Sequence, residues 1–244
     1  MACADPAPPR RHAPIAQDGD AIFFVGNSFF DWQARALPTW VAGLGDIAKP
    51  PVRLDVGGDI VPGDAPLREF LAHARVRDAL DAKRWDVFVL QGHEYEPVDH
   101  KAEFHQSVRD FDAAITAAGG RTVLFMTWDF HFRPFIDDLA ASYDEIGNEL
   151  GIPVIPAGLV HYDCNREPPE GRADWWLTAD PEHPEGDLHQ NALGTAVNAF
   201  TTFAILTGRN PTELDFVAQG DELDGATTRY LAEKSWARAS ARLQ

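Results

Sequence analysis

Short apolar segments alternate with amphipathic segments along most of this chain, and the alternation constrains the fold more than any other feature. Between the apolar segments, apolar side chains recur every three or four residues, which is typical of helices with one buried face. The apolar segments, short enough for strands, are residues 21–25, 52–56, 86–90, 122–126 and 152–155. The helical segments are residues 34–47, 66–82, 101–118, 136–150, 192–207 and one from about residue 224.

Several of the predicted strands have no polar face, so helices must cover both sides of the sheet that they form. Strands of this kind, joined through helices, make parallel sheets. We therefore predict an α/β protein with a single doubly wound domain of about five parallel strands flanked by helices. We place the domain at residues 20–244 and expect residues 1–19, rich in Pro and Ala, to form a flexible tail.

The charge of the chain argues against nucleic acid as a partner. Lys and Arg number 21 against 38 Asp and Glu, a net charge of −17, whereas nucleic-acid binding requires a basic surface. We also predict no membrane span, because no run of about 18 apolar residues occurs. The two cysteines are too few for a disulfide scaffold or a four-thiolate zinc site.

The N-terminus allows two interpretations. Met1-Ala2-Cys3 followed by a Pro/Ala-rich stretch is how a mature bacterial lipoprotein begins, and it would make the protein an exported one, anchored through Cys3. The same stretch is equally an unstructured tail with an incidental cysteine, and the protein is then cytoplasmic. The sequence leaves both interpretations open, as it does the oligomeric state.

Reactive groups follow the predicted strands, and the carboxyl ends of parallel strands meet at the edge of the sheet where ligands bind. Ser28 follows the first strand, and His189 lies just before the apolar helix at 192–207. A hydroxyl nucleophile, a histidine base and donors for an oxyanion are the groups that acyl transfer requires. The other groups at these positions are Gly58, Gln91, His93, Trp128, Asp129, His131, His183 and Asp187.

The order of these groups resembles the SGNH (GDSL-like) hydrolase superfamily over residues 21 to 210. Four blocks in chain order carry the resemblance. In the first block this chain has Gly26-Asn27-Ser28 where the family has Gly-Asp-Ser, and in the second block Gly58 stands at the position of the family's glycine. In the third block the chain has Leu90-Gln91-Gly92-His93 where the family has Leu-Gly-x-Asn. In the last block His189 and Gly194 match the histidine and glycine of the family's His-Pro-Ser-x-x-Gly. Thr127-Trp128 and Leu206-Thr207-Gly208-Arg209 also fit one subgroup of the family.

The resemblance implies a flavodoxin-like fold and a serine esterase that forms an acyl-enzyme and needs no cofactor. Ser28 would be the nucleophile, His189 its base, and Asp187 the acid that orients the base. The backbone amides of Ser28 and Gly58, together with His93, would hold the oxyanion. His93 stands where the family has Asn, and a neutral imidazole can still donate one N–H, in a manner that depends on pH.

The resemblance also implies a substrate class, a short-chain acyl or O-acetyl ester, for which a carbohydrate is one candidate alcohol. Gln91, Trp128 and Asp129 would line the substrate site, and Gln91 is the alternative oxyanion donor. The sequence does not determine which alcohol forms the ester.

The acid and the base each have alternatives. The family's acid lies three residues before its histidine, and this chain has Gly186 there, so Asp187 is the nearest substitute. Asp180 and Glu185 are the other nearby carboxylates. His183, in an Asp-x-x-His-Pro string, is the alternative base.

Two other functions compete with ester hydrolysis. The first is a non-catalytic binding protein on the same fold, which the departures at residues 93 and 186 favour. The second is a metal-dependent hydrolase, since imidazole and carboxylate groups could hold a divalent ion. Its ligand candidates are Asp129, His131, His183, Asp187 and His189.

Overall fold

A five-stranded parallel sheet forms the centre of the computed structural model, which describes residues 8–63, 65–172, 175–179, 188–216 and 223–244. A separate two-stranded hairpin, β2 with β3, lies outside this sheet. The strands are β1 (Ala21–Gly26), β2 (Asp31–Trp32), β3 (Arg35–Ala36), β4 (Asp55–Ile60), β5 (Val87–Gln91), β6 (Arg121–Phe125) and β7 (Val154–Ile155).

The order of the strands creates a crevice at the end of β1. Across the sheet the order is β4–β1–β5–β6–β7, with every neighbouring pair parallel. The chain therefore passes from β1 outward to β4 and then returns to β5 on the other side of β1. Such a reversal is where doubly wound sheets bind their ligands, and Ser28 follows β1 directly.

Helices cover both faces of the sheet, as the apolar strands require. One group, α1, α7, α8 and α9, packs together, and α2 to α5 form a second group, with α6 against β7 and in contact with both. The helices are α1 (Leu37–Ile47), α2 (Leu67–Phe70), α3 (Ala74–Ala82), α4 (Glu96–Asp99), α5 (Lys101–Ala118), α6 (Ile136–Leu150), α7 (Ala157–Arg166), α8 (Ala192–Thr207) and α9 (Gly225–Ser240). The prediction of a doubly wound α/β fold is confirmed.

One strand differs from its prediction in a way that bears on the site. The second predicted strand, residues 52–56, was expected to end at Gly57 and Gly58, but β4 runs on through both to Ile60. The glycines serve close packing inside the sheet: a Cβ at Gly57 would lie 2.5 Å from the Trp85 ring. Glycine within a strand commonly marks such an approach, and spacing along the sequence does not distinguish it from a strand exit.

Two helical predictions also need correction. The predicted helix at 34–47 begins only at Leu37, because residues 31–36 form the hairpin, and the predicted helix at 66–82 is split into α2 and α3. In the part of the chain that the structure describes, no helix is long and apolar enough to cross a bilayer.

The flexibility of the tail stays a prediction, but residues 8–19 make defined contacts with the domain. The backbone of His12 hydrogen-bonds to that of Arg242 and Gln244 beyond α9, and the amides of Ile15 and Ala16 donate to the Leu206 carbonyl. These residues thus lie along the helical face of the domain. Residues 1–7, including Cys3, lie outside the described residues, and export through a lipid anchor stays a prediction.

The packing at β4 predicts that Gly58→Ala destabilises the fold. A Cβ there would lie 2.6 Å from the Phe24 carbonyl oxygen of β1, and overpacking of this kind costs about 1–3 kcal/mol in the free energy of unfolding. Urea denaturation followed by circular dichroism measures it.

The matched control is Gly43→Ala in α1, where a Cβ would meet nothing within 4 Å. We expect this variant to be more stable than the parent by about 0.5–1 kcal/mol, the helix-propensity difference. Equal stability of the two variants would contradict the packing account of Gly58.

Candidate active site

The predicted nucleophile and base meet at the carboxyl edge of the sheet. Ser28 lies in the tight turn that follows β1, and His189 lies three residues before the start of α8. The Ser28 Oγ is 2.6 Å from the His189 Nε2, although 161 residues separate the two along the chain. A hydroxyl within hydrogen-bond reach of an imidazole is the geometry of an activated nucleophile.

The turn that carries Ser28 is tied to the end of β5 by two amide side chains. The Asn27 backbone N–H donates to the Gln91 Oε1 at 3.3 Å, and the Gln91 Nε2 donates to the Asn27 Oδ1 at 2.8 Å. The Asn27 Oδ1 also accepts from the Phe29 N–H at 3.0 Å. Neighbouring strands thereby fix the backbone on both sides of Ser28.

This arrangement changes the role predicted for Gln91. Its second Nε2 proton goes to the Gly92 carbonyl at 3.0 Å, so both N–H groups of the amide are already donated. The side chain is also buried, 2% exposed. Gln91 therefore positions the turn, and the predictions that it contacts substrate or donates to an oxyanion do not fit its hydrogen bonds.

Gly26 permits this close approach. A Cβ at Gly26 would lie 2.6 Å from the Gln91 Oε1 and 3.0 Å from the Phe30 ring. The glycine of the Gly-Asn-Ser string is thus required by the packing of Gln91 against the turn.

The imidazole of His189 is stacked beneath an indole that sequence reasoning missed. The Trp32 and His189 ring centroids are 3.5 Å apart and the planes differ by only 4°, and the Phe29 ring meets the same imidazole edge-on at 5.6 Å. Two aromatic contacts at right angles limit the rotation of the His189 ring, which keeps its Nε2 directed at Ser28.

The hairpin that carries Trp32 is under backbone strain. Its two-residue turn consists of Gln33 and Ala34, with φ of 53° and 61°, the left-handed values that a type I′ turn needs and that Asn-Gly normally supplies. Each non-glycine residue in this region costs about 1 kcal/mol. Gln-Ala carries no turn signal, so the sequence predicted a helix from residue 34 and gave no role to Trp32.

Trp128 is correctly located near the site but does not line an open substrate surface. It is 1% exposed, with one face stacked on Phe29 at 4.5 Å and a further stack on His161 at 4.4 Å. Its Nε1 donates to the Leu188 carbonyl at 3.2 Å. Trp128 thus holds the residue before His189, and its contact with substrate stays a prediction.

Residues on either side of His189 hold its backbone in place. The Ala179 N–H donates to the His189 carbonyl at 2.9 Å, and the Gln190 Nε2 approaches the Ser28 carbonyl at 3.5 Å. Asn191 caps α8 by accepting from the Gly194 N–H, and its Nδ2 donates to the Trp176 carbonyl. An Asn directly before an apolar helix is a typical N-cap, so this last role was open to sequence reasoning.

The two remaining predicted oxyanion donors, His93 and Gly58, lie in different parts of the sheet edge and sheet interior. The His93 backbone N–H donates to the Glu96 Oε2 at 3.1 Å, and the buried Glu96 also accepts from the Leu67 N–H, which fixes the loop after β5. Gly58 pairs with Phe24, two residues before the end of β1, whereas Ser28 comes two residues after that end. The roles of His93 and Gly58 stay predictions.

Asp129 lies in a partly buried position beside a cavity. It accepts from the Phe135 N–H at 3.4 Å, and burial raises the pKa of its carboxyl above the usual range. Of the predicted substrate residues, Asp129 alone keeps a position that a ligand could reach.

The predicted acid lies outside the described residues. That holds for Asp187, for its alternatives Asp180 and Glu185, and for His183. Within the described ranges, no group of three or more His, Cys, Asp or Glu residues is arranged to hold a metal ion. Because His183 and Asp187 belong to the metal hypothesis, that alternative stays a prediction.

Comparison with solved structures identifies the architecture, although no family model and no curated protein sequence matches the chain. A Slackia heliotrinireducens protein named as a candidate SGNH hydrolase aligns with a TM-score of 0.61 at 20% identity, over 78% of this chain and 100% of its own. Axe2, an acetylxylan esterase from Geobacillus stearothermophilus, aligns with a TM-score of 0.60 at 12% identity, over 84% of this chain and 99% of its own. A lipolytic-type G-D-S-L family protein from Desulfitobacterium hafniense aligns with a TM-score of 0.57 at 11% identity, over 77% of this chain and 100% of its own.

The chain has an SGNH/GDSL-like fold. The resemblance drawn from the four sequence blocks is confirmed at this level, since all three structures align over nearly their whole length. In the SGNH/GDSL-like fold of this chain, the first and last blocks supply the two side chains that meet, Ser28 and His189.

The stacking on His189 predicts that the reactivity of Ser28 depends on Trp32. Trp32→Leu removes the aromatic face and frees the imidazole, and a misplacement of about 1 Å in a reacting group can cost about 10²-fold in rate. We expect the rate constant for covalent inactivation by a fluorophosphonate to fall by about that factor.

Trp32→Phe is the matched control, because it keeps a flat ring over the imidazole. It should retain most of the parental inactivation rate and the parental thermal midpoint. If Trp32→Leu reacts as fast as the parent, the stack does not position His189.

Proposed function

We propose that this protein is a serine ester hydrolase that acts through an acyl-enzyme. The contact of 2.6 Å between the Ser28 Oγ and the His189 Nε2 carries the proposal. It is supported by the location of the pair at the topological switch point of the sheet. The SGNH/GDSL-like fold adds support, because several structures of that fold bear the names of hydrolases or esterases.

In the proposed reaction, the Ser28 Oγ attacks the acyl carbonyl carbon while the His189 Nε2 accepts its proton. The tetrahedral intermediate collapses, the C–O bond to the alcohol breaks, and His189 returns the proton to the leaving oxygen. A water molecule then attacks the acyl-enzyme with His189 again as base, and Ser28 is released. Trp32 and Phe29 keep the imidazole aligned through both steps.

For the oxyanion we propose the amides of Ser28 and Gly58 together with His93. His93 lies on the loop after β5, the strand next to β1, and Glu96 holds its backbone there. Gly58 has the least geometric support of the three, because it lies inside β4 rather than at the end of the strand.

We propose a short-chain acyl or O-acetyl ester as the substrate, with a carbohydrate as the alcohol. Axe2, which has the same architecture, is named as an acetylxylan esterase. A small acyl group suits a nucleophile that is itself buried: Ser28 is 7% exposed, and the Phe29 and Trp32 rings both contact its partner His189.

The proposal predicts covalent labelling of Ser28 and its loss on mutation. Intact mass after treatment with a fluorophosphonate should rise by one adduct, and Ser28→Ala should remove both the adduct and hydrolysis of acetyl esters. Loss of a nucleophile costs several orders of magnitude in turnover. A Ser28→Ala protein that keeps more than a few per cent of the parental rate would refute the assignment.

His189→Ala should be nearly as damaging, and the double variant little worse than either single one, because the nucleophile and its base act as a unit. Multiplicative losses in the double variant would argue against a shared mechanism. A protein that folds normally yet takes up no label would instead be a binding protein on this fold.

We further propose Asp187 as the acid that orients His189. Losing such a carboxylate costs from about 10² to about 10⁴ in turnover, so Asp187→Asn should lower kcat at least about a hundredfold. Asp180→Asn and Glu185→Gln serve as matched controls and should stay within about tenfold of the parent. Mild effects of all three substitutions would mean that none of these carboxylates orients His189.

A further inference from the structure

A cavity of about 250 Å³ lies between the loop that follows β6 and the helix α7. It is separate from the Ser28–His189 contact, and the proposed reaction does not use it. Its lining is mostly polar and aromatic and includes Asp129, Phe130, His131, Tyr162, Arg166 and Trp176.

The cavity is built on the same two segments that hold the reactive pair. Asp129 follows Trp128, whose ring stacks on Phe29 and whose Nε1 donates to the Leu188 carbonyl. On the other side, the Trp176 carbonyl accepts from the Asn191 Nδ2 at 2.8 Å, at the cap of α8. The lining of the cavity is therefore connected to the residue after Ser28 and to the segment that carries His189.

The lining combines flat aromatic walls with charged groups. The Trp176 and His131 rings meet edge-to-face at 5.1 Å, and the Arg166 guanidinium donates to the Tyr162 hydroxyl at 2.6 Å. The Asp129 carboxylate can accept further hydrogen bonds beside the one from the Phe135 N–H, and the Arg166 guanidinium can donate more than the one to Tyr162. An apolar chain in this cavity would use neither group. A ring with C–H groups on its face and hydroxyls on its rim satisfies both kinds of wall.

We infer that this cavity binds the alcohol part of the ester, and that the alcohol is a compact polyol, a single sugar ring. The inference rests on the proposed ester hydrolase function and adds to it the location and chemistry of the alcohol site. In this arrangement Trp176 packs against the face of the ring, while Asp129 accepts from its hydroxyls and Arg166 donates to their oxygens. The acyl carbonyl then faces Ser28.

A larger cavity elsewhere supplies a control. It measures about 390 Å³ and is lined by Lys49, Arg209 and Trp236 among others, at the carboxyl end of α8. That helix has 16 residues, so about 24 Å separates this end from the start of α8 near His189. Trp236 is thus a tryptophan that lines a cavity remote from the reaction.

The test compares three acetate esters: an O-acetylated methyl pyranoside, phenyl acetate and ethyl acetate, with released acid followed by titration. The measured quantity is kcat/KM for each ester divided by that for ethyl acetate, which cancels any general loss of activity. Trp176→Ala should lower the pyranoside ratio about tenfold, equivalent to about 1.4 kcal/mol, mainly through KM. Trp176→Phe should restore most of it, and Trp236→Ala should leave it unchanged.

Arg166→Ala distinguishes a polyol from an apolar ring. It should lower the pyranoside ratio severalfold while leaving the phenyl acetate ratio unchanged. Two results would overturn the sugar site: equal losses for the pyranoside and phenyl acetate, or a pyranoside ratio that stays within twofold of the parental value in Trp176→Ala. Hydrolysis of ethyl acetate by the parent would still support the proposed function in either case. Absence of both hydrolysis and fluorophosphonate labelling in the parent would overturn the proposed function and this inference together.

Discussion

The reciprocal hydrogen bonds between Asn27 and Gln91 join the turn after β1 to the end of β5, and the candidate site depends on them. β1 is buried along its whole length and paired on both edges, so the sheet fixes where the turn begins. The two amides then fix the path of the backbone through Asn27. Because buried amide groups without partners are costly, this path is strongly preferred over alternatives that would point Ser28 elsewhere.

Contacts between aromatic rings fix the position of the His189 ring relative to the turn that carries Ser28. Trp32 lies flat against His189, Phe29 meets His189 edge-on, and Trp128 lies against both Phe29 and His161. Burial lowers the pKa of His161 to about 4, so its ring stays neutral near pH 7 and packs as an aromatic side chain. Leu188 and His189 are thereby held by dispersion, by the indole hydrogen bond to the Leu188 carbonyl and by the Ala179 hydrogen bond to the His189 carbonyl.

The position of Trp32 has a conformational cost that its contacts offset. Gln33 and Ala34 both adopt left-handed backbone conformations, which local propensity disfavours. Strain of this kind persists only where surrounding packing determines it, and it concentrates at functional sites. Here the packing that compensates the hairpin is the face-to-face contact with the imidazole, so the same contact both stabilises the hairpin and orients the His189 ring.

The sequence by itself determined the parallel α/β architecture, the deeply buried α8 and the two side chains that meet at the candidate site, Ser28 and His189. These follow from hydrophobic periodicity and from residues that directly precede or follow an element, which are local properties of the chain. Only the tertiary structure decided that Trp32 covers His189, that Gln91 holds the turn, and that Trp128 is enclosed between two rings. These roles depend on contacts between residues 33 to 157 positions apart, or on left-handed φ values that the dipeptide Gln-Ala does not predict. Long-range packing overrides local preference at such positions, because the free energy that selects the conformation comes from partners that the surrounding sequence does not contain.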